Sequence, residues 1–365
     1  MTATRVAGCG GRLWRPVQGW MMPSAAAPAA GSLDWQPQDI PQGRRRGRRP
    51  PQAMAQSIHD FHDDPRNADI RIWINGALKH RVDATVSVFD SGFVLGDGVW
   101  EGLRVVGGEP VFLAAHLDRL YEGARAIALD IGLSRAELSA ALYDTLAANG
   151  MHDGVHIRLM VTRGIKRTPY QDPRACVGTA TVVILPEFKL AKPETLAAGL
   201  NLFTVHVRRG FPDVQDPKLN SHSKLNCITA CIQATTAGAD EALMLDPHGF
   251  VATCNSTHFF IVRGGEVWTS SGDYCLGGIT RANVIQVCRE AGIPVHEKNF
   301  SLTQVYGADE AFCTGTFAGV VPVRQVDGRA YDGALPGPVV QRLQGLYREL
   351  VARDVAAARL ARGAA

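Results

Sequence analysis

The chain has 365 residues, 46% of them hydrophobic, enough for a large core in one or two domains. Its 38 Lys and Arg residues against 35 Asp and Glu leave a formal net charge of +3, so nothing calls for nucleic acid or an anionic membrane as partner, and no apolar run reaches transmembrane length. The eight cysteines are scattered with no CxxC pair and no metal-ligand spacing, which fits a reduced, cytoplasmic protein without a metal centre.

Residues 1–65 do not read as a folded domain. Ala, Pro and Gly are frequent, arginines cluster at Arg44-Arg45-Arg46 and Arg48-Arg49, and no period of 2 or 3.6 is sustained, so disorder is expected. Three readings compete: an upstream extension with Met54 as the true start, a targeting presequence, or a basic interaction arm. The absence of a clear amphipathic helix favours the first.

The globular part begins near Asp69. A strand is expected from Arg71 into the turn at Asn75-Gly76, and a second at Val86-Ser-Val-Phe. The stretch after it carries glycines at 92, 96, 98 and 102, which let backbone approach a neighbour closely, and ends in Arg104. That arginine either points its fork at a phosphate or forms a salt bridge in a glycine-rich hairpin. Two helices follow. Residues 114–128 place Leu117, Leu120, Ala124 and Ile127 on one face, with His116 and Arg119 read as structural. Ser134 and Glu137 form a capping box for a helix to about Ala148. Strands are expected over 156–164, ending in a cationic turn at 163–167, and over 179–185. Pro186 to Pro193 reads as a linker, dividing a small α/β domain (66–188) from a larger one (189–355), with a basic tail over 356–365.

The second half opens with a strand over 200–207. Two lysines, Lys218 and Lys224, then lie in a polar, helix-breaking segment, before an alanine-rich helix at 228–237 and a strand at Glu241-Ala-Leu-Met-Leu. A lysine between strand and helix, with a polar patch (Thr253 to Thr257) returning nearby, suits Schiff-base chemistry. Such an amine has to be held, partly desolvated and deprotonated near neutral pH. Taken alone, either lysine reads more readily as a solvated surface charge. A hairpin crosses Gly264-Gly265. Gly277-Gly278-Ile279-Thr280 opens a helix whose free amides, hydroxyl and dipole make an anion site. A strand from Glu310 delivers Thr314 and Thr316 to a polar turn, a strand returns over 320–326, and a helix closes the chain over about 338–353.

The segments GDGVWEGLRV, VTRG, DEALMLD, GGITR and GTFAGVVPVRQVDG, in this order over about residues 70–350, resemble the class IV aminotransferases. These are pyridoxal 5′-phosphate (PLP) enzymes of fold type IV, a mixed α/β (α+β) fold with two domains and the cofactor between them. The resemblance implies that Arg104, Ile279, Thr280 and Thr316 hold the cofactor phosphate. It implies that Arg158, with Phe93, Arg167 and Phe317, faces the substrate, Arg158 matching the branched-chain enzymes and Arg167 lying near the carboxylate-binding arginine of the D-amino-acid enzymes. Phe93 falls near a position where relatives often carry tyrosine. The family further implies an amino acid and a 2-oxo acid as substrates, and an obligate homodimer. Two departures stand out. Counting back from Glu241 falls between Lys218, closer by spacing, and Lys224, better by its Lys-Leu-Asn pattern and preferred here as the catalytic lysine. And Thr253 occupies the place of the glutamate that pairs with the pyridine nitrogen, where a hydroxyl cannot keep the ring protonated. That leaves a branched-chain-type aminotransferase as the main reading. A PLP lyase of the aminodeoxychorismate type, a D-amino-acid aminotransferase or a non-catalytic PLP-binding protein are its rivals.

Overall fold

The computed structural model describes residues 64–363 save Lys192; the expectations for the segment before residue 64 lie outside the described residues. The first half runs β1 (Arg71–Ile74), β2 (Ala77–His80), α1 (Ser91–Leu95), β3 (Gly98–Val106), β4 (Glu109–Pro110), α2 (Leu113–Ala126), α3 (Arg135–Ala148), β5 (Val155–Thr162), β6 (Ile165–Lys166), β7 (Cys176–Val177) and β8 (Thr181–Phe188). Asn75 and Gly76 both adopt positive φ, 47° and 90°, the geometry a two-residue hairpin turn demands, and Ile74 pairs with Ala77 across it. Six strands form one sheet in the order β2-β1-β8-β5-β3-β4. Its long central strands pair antiparallel from Gly98 with Thr162 to Val105 with Val155.

The two-residue period of β3 sorts its side chains. Val99, Leu103 and Val105 bury against Leu117 and Leu120 of α2 and Leu138 and Leu142 of α3. Trp100, Gly102 and Arg104 therefore look out on the opposite face, beside their β5 partners Met160, Arg158 and His156. Helix α3 carries the full capping box between Ser134 and Glu137 that its sequence announces.

The second half runs α4 (Pro193–Ala198), β9 (Leu200–Thr204), α5 (Pro212–Gln215), α6 (Leu225–Thr236), β10 (Glu241–Leu245), β11 (Val251–Cys254), β12 (His258–Arg263), β13 (Glu266–Thr269), α7 (Ile279–Glu290), β14 (Val295–Glu297), α8 (Leu302–Tyr306), β15 (Glu310–Gly315), β16 (Gly319–Val326), β17 (Arg329–Ala330) and α9 (Pro338–Gly363). The second sheet is ordered β11-β10-β9-β16-β15-β12-β13-β14, with β17 on β16. One core gathers Leu243, Phe259, Phe300 and Val323. Another packs α7 and α9 through Val284, Cys288, Leu343 and Tyr347 against Phe260 and Phe312.

Two sequence expectations are corrected. Residues 86–89 form no strand; Val86, Val88 and Phe89 are exposed, and the segment meets β6 only at its end, where Phe89 O accepts from Lys166 N and Asp90 bridges to Ile165. The basic tail is helical to Gly363, because α9 continues its buried stripe through Val351 and Val355. Arg359 Nη2 donates to Gly107 O at 2.6 Å, and Asp354 accepts from Phe112 N at 2.7 Å, so the end of α9 is fastened to the edge of the first sheet. No helix among the described residues is long and apolar enough to cross a membrane.

Candidate functional site

The loop before α6 is zipped onto the start of β3, more than a hundred residues earlier. Trp100 N donates to Asn220 O at 3.0 Å, Asn220 Nδ2 returns a bond to Trp100 O at 2.6 Å, and His222 N donates to Gly98 O at 3.0 Å. The Trp100 indole adds a bond to Ser221 O at 3.0 Å. This fixes Lys224, the N-cap residue of α6, over the face of β3 that carries Trp100, Gly102 and Arg104. Its Nζ donates to Asn220 Oδ1 at 3.0 Å and sits 5.4 Å from the Trp100 ring centre. Burial pushes the Lys224 amine down to about 8, helped by the positive charges of Arg209, Arg119 and Arg158 and opposed by Cys227. Lys218, by contrast, is exposed and its Nζ donates to Gly272 O.

Arg158 joins the same face. Its guanidinium stacks 3.8 Å from the Trp100 ring centre, and it is paired in register with Gly102. A side chain at Gly102 would stand 3.1 Å from His156 Nε2 and crowd this floor. His156 in turn meets Phe317 edge-on, ring centres 5.6 Å apart, so the buried Phe317 walls the pocket from the β15–β16 turn.

A few residues away, Arg104, Thr280 and Thr316 line one small cavity together with His116 and Tyr347. The start of α7 faces it with no side-chain cap, leaving first-turn amides for a ligand, and Ile279 is its first residue. Two residues that the sequence reads as structural border this region. Arg119 grips Glu101 through Nε at 2.8 Å and Nη2 at 2.6 Å and donates from Nη1 to Gly277 O at 2.7 Å. His116 Nδ1 lies 2.7 Å from the same carboxylate. The signal was present: two polar residues three apart within the apolar face of α2, opposite the buried Glu101 of β3.

Thr253 is buried on β11, paired with Met244, and its hydroxyl donates to Thr257 O at 2.8 Å. Nearby Glu241 is fully engaged by Ser256 N (2.9 Å), Ser256 Oγ (2.7 Å) and Thr257 Oγ1 (2.9 Å), while burial raises its carboxyl above the usual range. Glu241, Cys254 and Cys313 bring their ligand-type atoms within 4.8 Å of one another, but the carboxylate oxygens are already spent on those three donors.

Phe93 and Arg167 are not brought into the Trp100–Arg158 group. Phe93 is 72% exposed on α1, and Arg167 is exposed beyond β6. Their segments are joined to each other by bonds from Ser91 N to Gly164 O and from Lys166 N to Phe89 O, both 2.9 Å.

The donor set therefore fits a phosphorylated aldehyde. The cavity offers a cation, hydroxyls, free helix amides and an unpaired imidazole nitrogen to an anion, and Lys224 offers an amine that is half neutral near pH 8.

The model of the family described as Amino-transferase class IV matches residues 98–326. The chain is 40% identical over 286 residues to branched-chain-amino-acid aminotransferase-like protein 2 of Arabidopsis thaliana, an alignment covering 78% of this chain and 51% of that one; the chain thus spans about half the length of that relative. It is 39% identical over 283 residues to the putative branched-chain-amino-acid aminotransferase of Methanocaldococcus jannaschii, covering 77% and 96% of the two chains. Among solved structures, the branched-chain aminotransferase from the thermophilic archaeon Thermoproteus uzoniensis, with norvaline, superposes with a TM-score of 0.71 at 31% identity, over 78% of this chain and 95% of that one.

Proposed function

The chain belongs to the class IV aminotransferase family, and we propose that it exchanges an amino group between a branched-chain-type amino acid and a 2-oxo acid, with PLP as cofactor. Its fold is that of the fold type IV enzymes. The observation that carries the reading is Lys224: a half-buried amine with a lowered pKa of about 8, held between Asn220 and the Trp100 face and flanked by Arg158.

When bound, PLP supplies an aldehyde that condenses with amines and a ring that draws electrons away from the amino acid Cα. The chain's own residues do the rest. Arg104, Thr280, Thr316 and the amide of Ile279 receive the phosphate at the α7 end, and Arg119 braces the approach to that helix through Gly277. Arg158 presents a cation to the substrate, backed by the Trp100 ring, and Phe317 keeps water from that side. Lys224 would take the proton from the amino acid Cα and hold it for return; its lowered pKa lets one amine serve as base and acid near pH 8. Thr253 offers no charge to the ring nitrogen, which favours slower transamination than a carboxylate would give. This same feature is what supports the lyase and non-catalytic alternatives.

Borohydride reduction followed by peptide mapping tests the assignment. A phosphopyridoxyl label on Lys224 is expected. A label on Lys218 would move the catalytic role, and no label on either would sink the PLP reading. Turnover of L-leucine against D-alanine, and pyruvate release from aminodeoxychorismate, separate the branched-chain reading from its rivals.

The functional unit is proposed to be a cytoplasmic homodimer. Its support is the exposed apolar module of Val88, Phe89, Phe93, Ile165 and Tyr170, which also carries Arg167. In this reading Phe93 and Arg167 reach the neighbouring subunit's pocket. Mixing an inactive Lys224→Ala chain with an inactive Phe93→Asp chain should then restore activity at up to one site per mixed dimer. A monomer in sedimentation at micromolar concentration would refute it.

A further inference from the structure

One polar atom in the phosphate cavity has no partner among the described residues. His116 is completely buried on α2 and lines the cavity with Arg104, Thr280 and Thr316, yet its Nε2 makes no hydrogen bond. An unsatisfied buried polar atom is costly, so its retention is explained when a ligand completes it.

The other side of the ring fixes its chemistry. Nδ1 lies 2.7 Å from Glu101 Oε2. Burial pushes the Glu101 carboxyl up, but the bonds from His116 and Arg119 outweigh this and hold it below its usual range, so it is an ionised acceptor. Nδ1 therefore carries a proton, and Nε2 is the atom that looks into the cavity. The groups facing the ring are Glu101 and Arg104 of β3, Arg119 of its own helix, Tyr347 of α9 and the hydroxyls of Thr280 and Thr316. Val111, Phe112 and Val351 complete the lining, so its polar groups are Arg104, His116, Thr280, Thr316 and Tyr347, and the carboxylate lies behind the imidazole.

We propose that His116 is a direct ligand of the cofactor phosphate, its Nε2–H donating to a phosphate oxygen while Nδ1–H stays on Glu101. The ring then bridges the phosphate and Glu101, and Glu101 serves Arg119 and His116 together. This rests on the PLP reading of the site. It adds to that reading a ligand on α2, where Arg104 and the α7 start come from other elements.

The test compares the apo-protein's affinity for PLP, for pyridoxal, which lacks the phosphate, and for inorganic phosphate. His116→Asn keeps a donor near the Nδ1 position for Glu101 but removes the Nε2 contact. His116→Gln reaches towards the Nε2 position and gives up the bond to Glu101. His116→Asn is expected to weaken PLP and inorganic phosphate tenfold or more with pyridoxal affinity unchanged, and His116→Gln to recover part of the loss. Equal weakening of PLP and pyridoxal in His116→Asn, or unchanged binding of every probe in a folded variant, would overturn the proposal and leave His116 as a brace for Glu101. A wild-type chain that binds inorganic phosphate in a His116-dependent way but neither PLP nor pyridoxal would sink the cofactor reading while keeping His116 as an anion ligand.

Discussion

At the α7 end of the site an uncapped helix start, Arg104 and the unpaired Nε2 of His116 converge on one cavity. At the β11 end the polar groups have closed on each other: Thr253 on Thr257, and Glu241 on Ser256 and Thr257. One end is wired to grip an anion, and the other is self-satisfied. In the proposed reading the difference separates two tasks of a PLP site, holding the cofactor and tuning its ring, and would place them on different strands and helices.

The comparison yields measurements of decreasing size. Lys224 stands between the two ends, so Lys224→Ala should abolish labelling and lower turnover by about 10³-fold, within the range of acid–base catalysis; stopped-flow on the purified variant reads this. Arg104→Leu removes a charged contact from the gripping end. PLP affinity should fall by roughly 10–100-fold, as expected for a hydrogen bond to a charged group, with little effect on pyridoxal. The pH dependence of cofactor capture follows the Lys224 amine at about 8. The neutral amine is the reactive form, so the capture rate should rise with pH, drop by about fivefold from pH 8 to pH 7, and level off above 9. A transition near the ordinary lysine pKa would mean the amine is not desolvated. The smallest effect belongs to the self-satisfied end. Thr253→Glu should shift the cofactor's absorbance and raise turnover by about threefold, equivalent to ~0.6 kcal/mol; unchanged absorbance and rate would mean that Thr253 does not face the ring nitrogen.

Much of the scaffold was legible because its signals are local. Ser134 and Glu137 lie three residues apart, Gly264-Gly265 sits inside its own hairpin, and the apolar run that follows Glu241 completes its strand within five residues. The strand expected over 86–89 failed because sheet membership needs a partner that local pattern cannot supply. The end of α9 was read as a tail because Arg359 is held by Gly107, 252 residues away. The same limit applied to the site. Spacing left Lys218 and Lys224 undecided, whereas burial and the Trp100 face distinguish their surroundings. His116 and Arg119 looked structural because Glu101 and Gly277, which give them their meaning, come from other parts of the chain. Arg104, Thr280 and Thr316 were nameable from their motifs, but their shared cavity appears only in three dimensions.

The zip between 220–222 and the start of β3 has a kinetic consequence. Lys224 opens a helix that packs on the second sheet, yet the loop that aims it is a guest on the first, through pairings separated by 120 residues or more. Contacts of such long range close late, after the sheets that offer them exist. On refolding, native secondary structure should therefore return before the chain regains its ability to capture an aldehyde, and the lag between the two signals times the docking of this one loop.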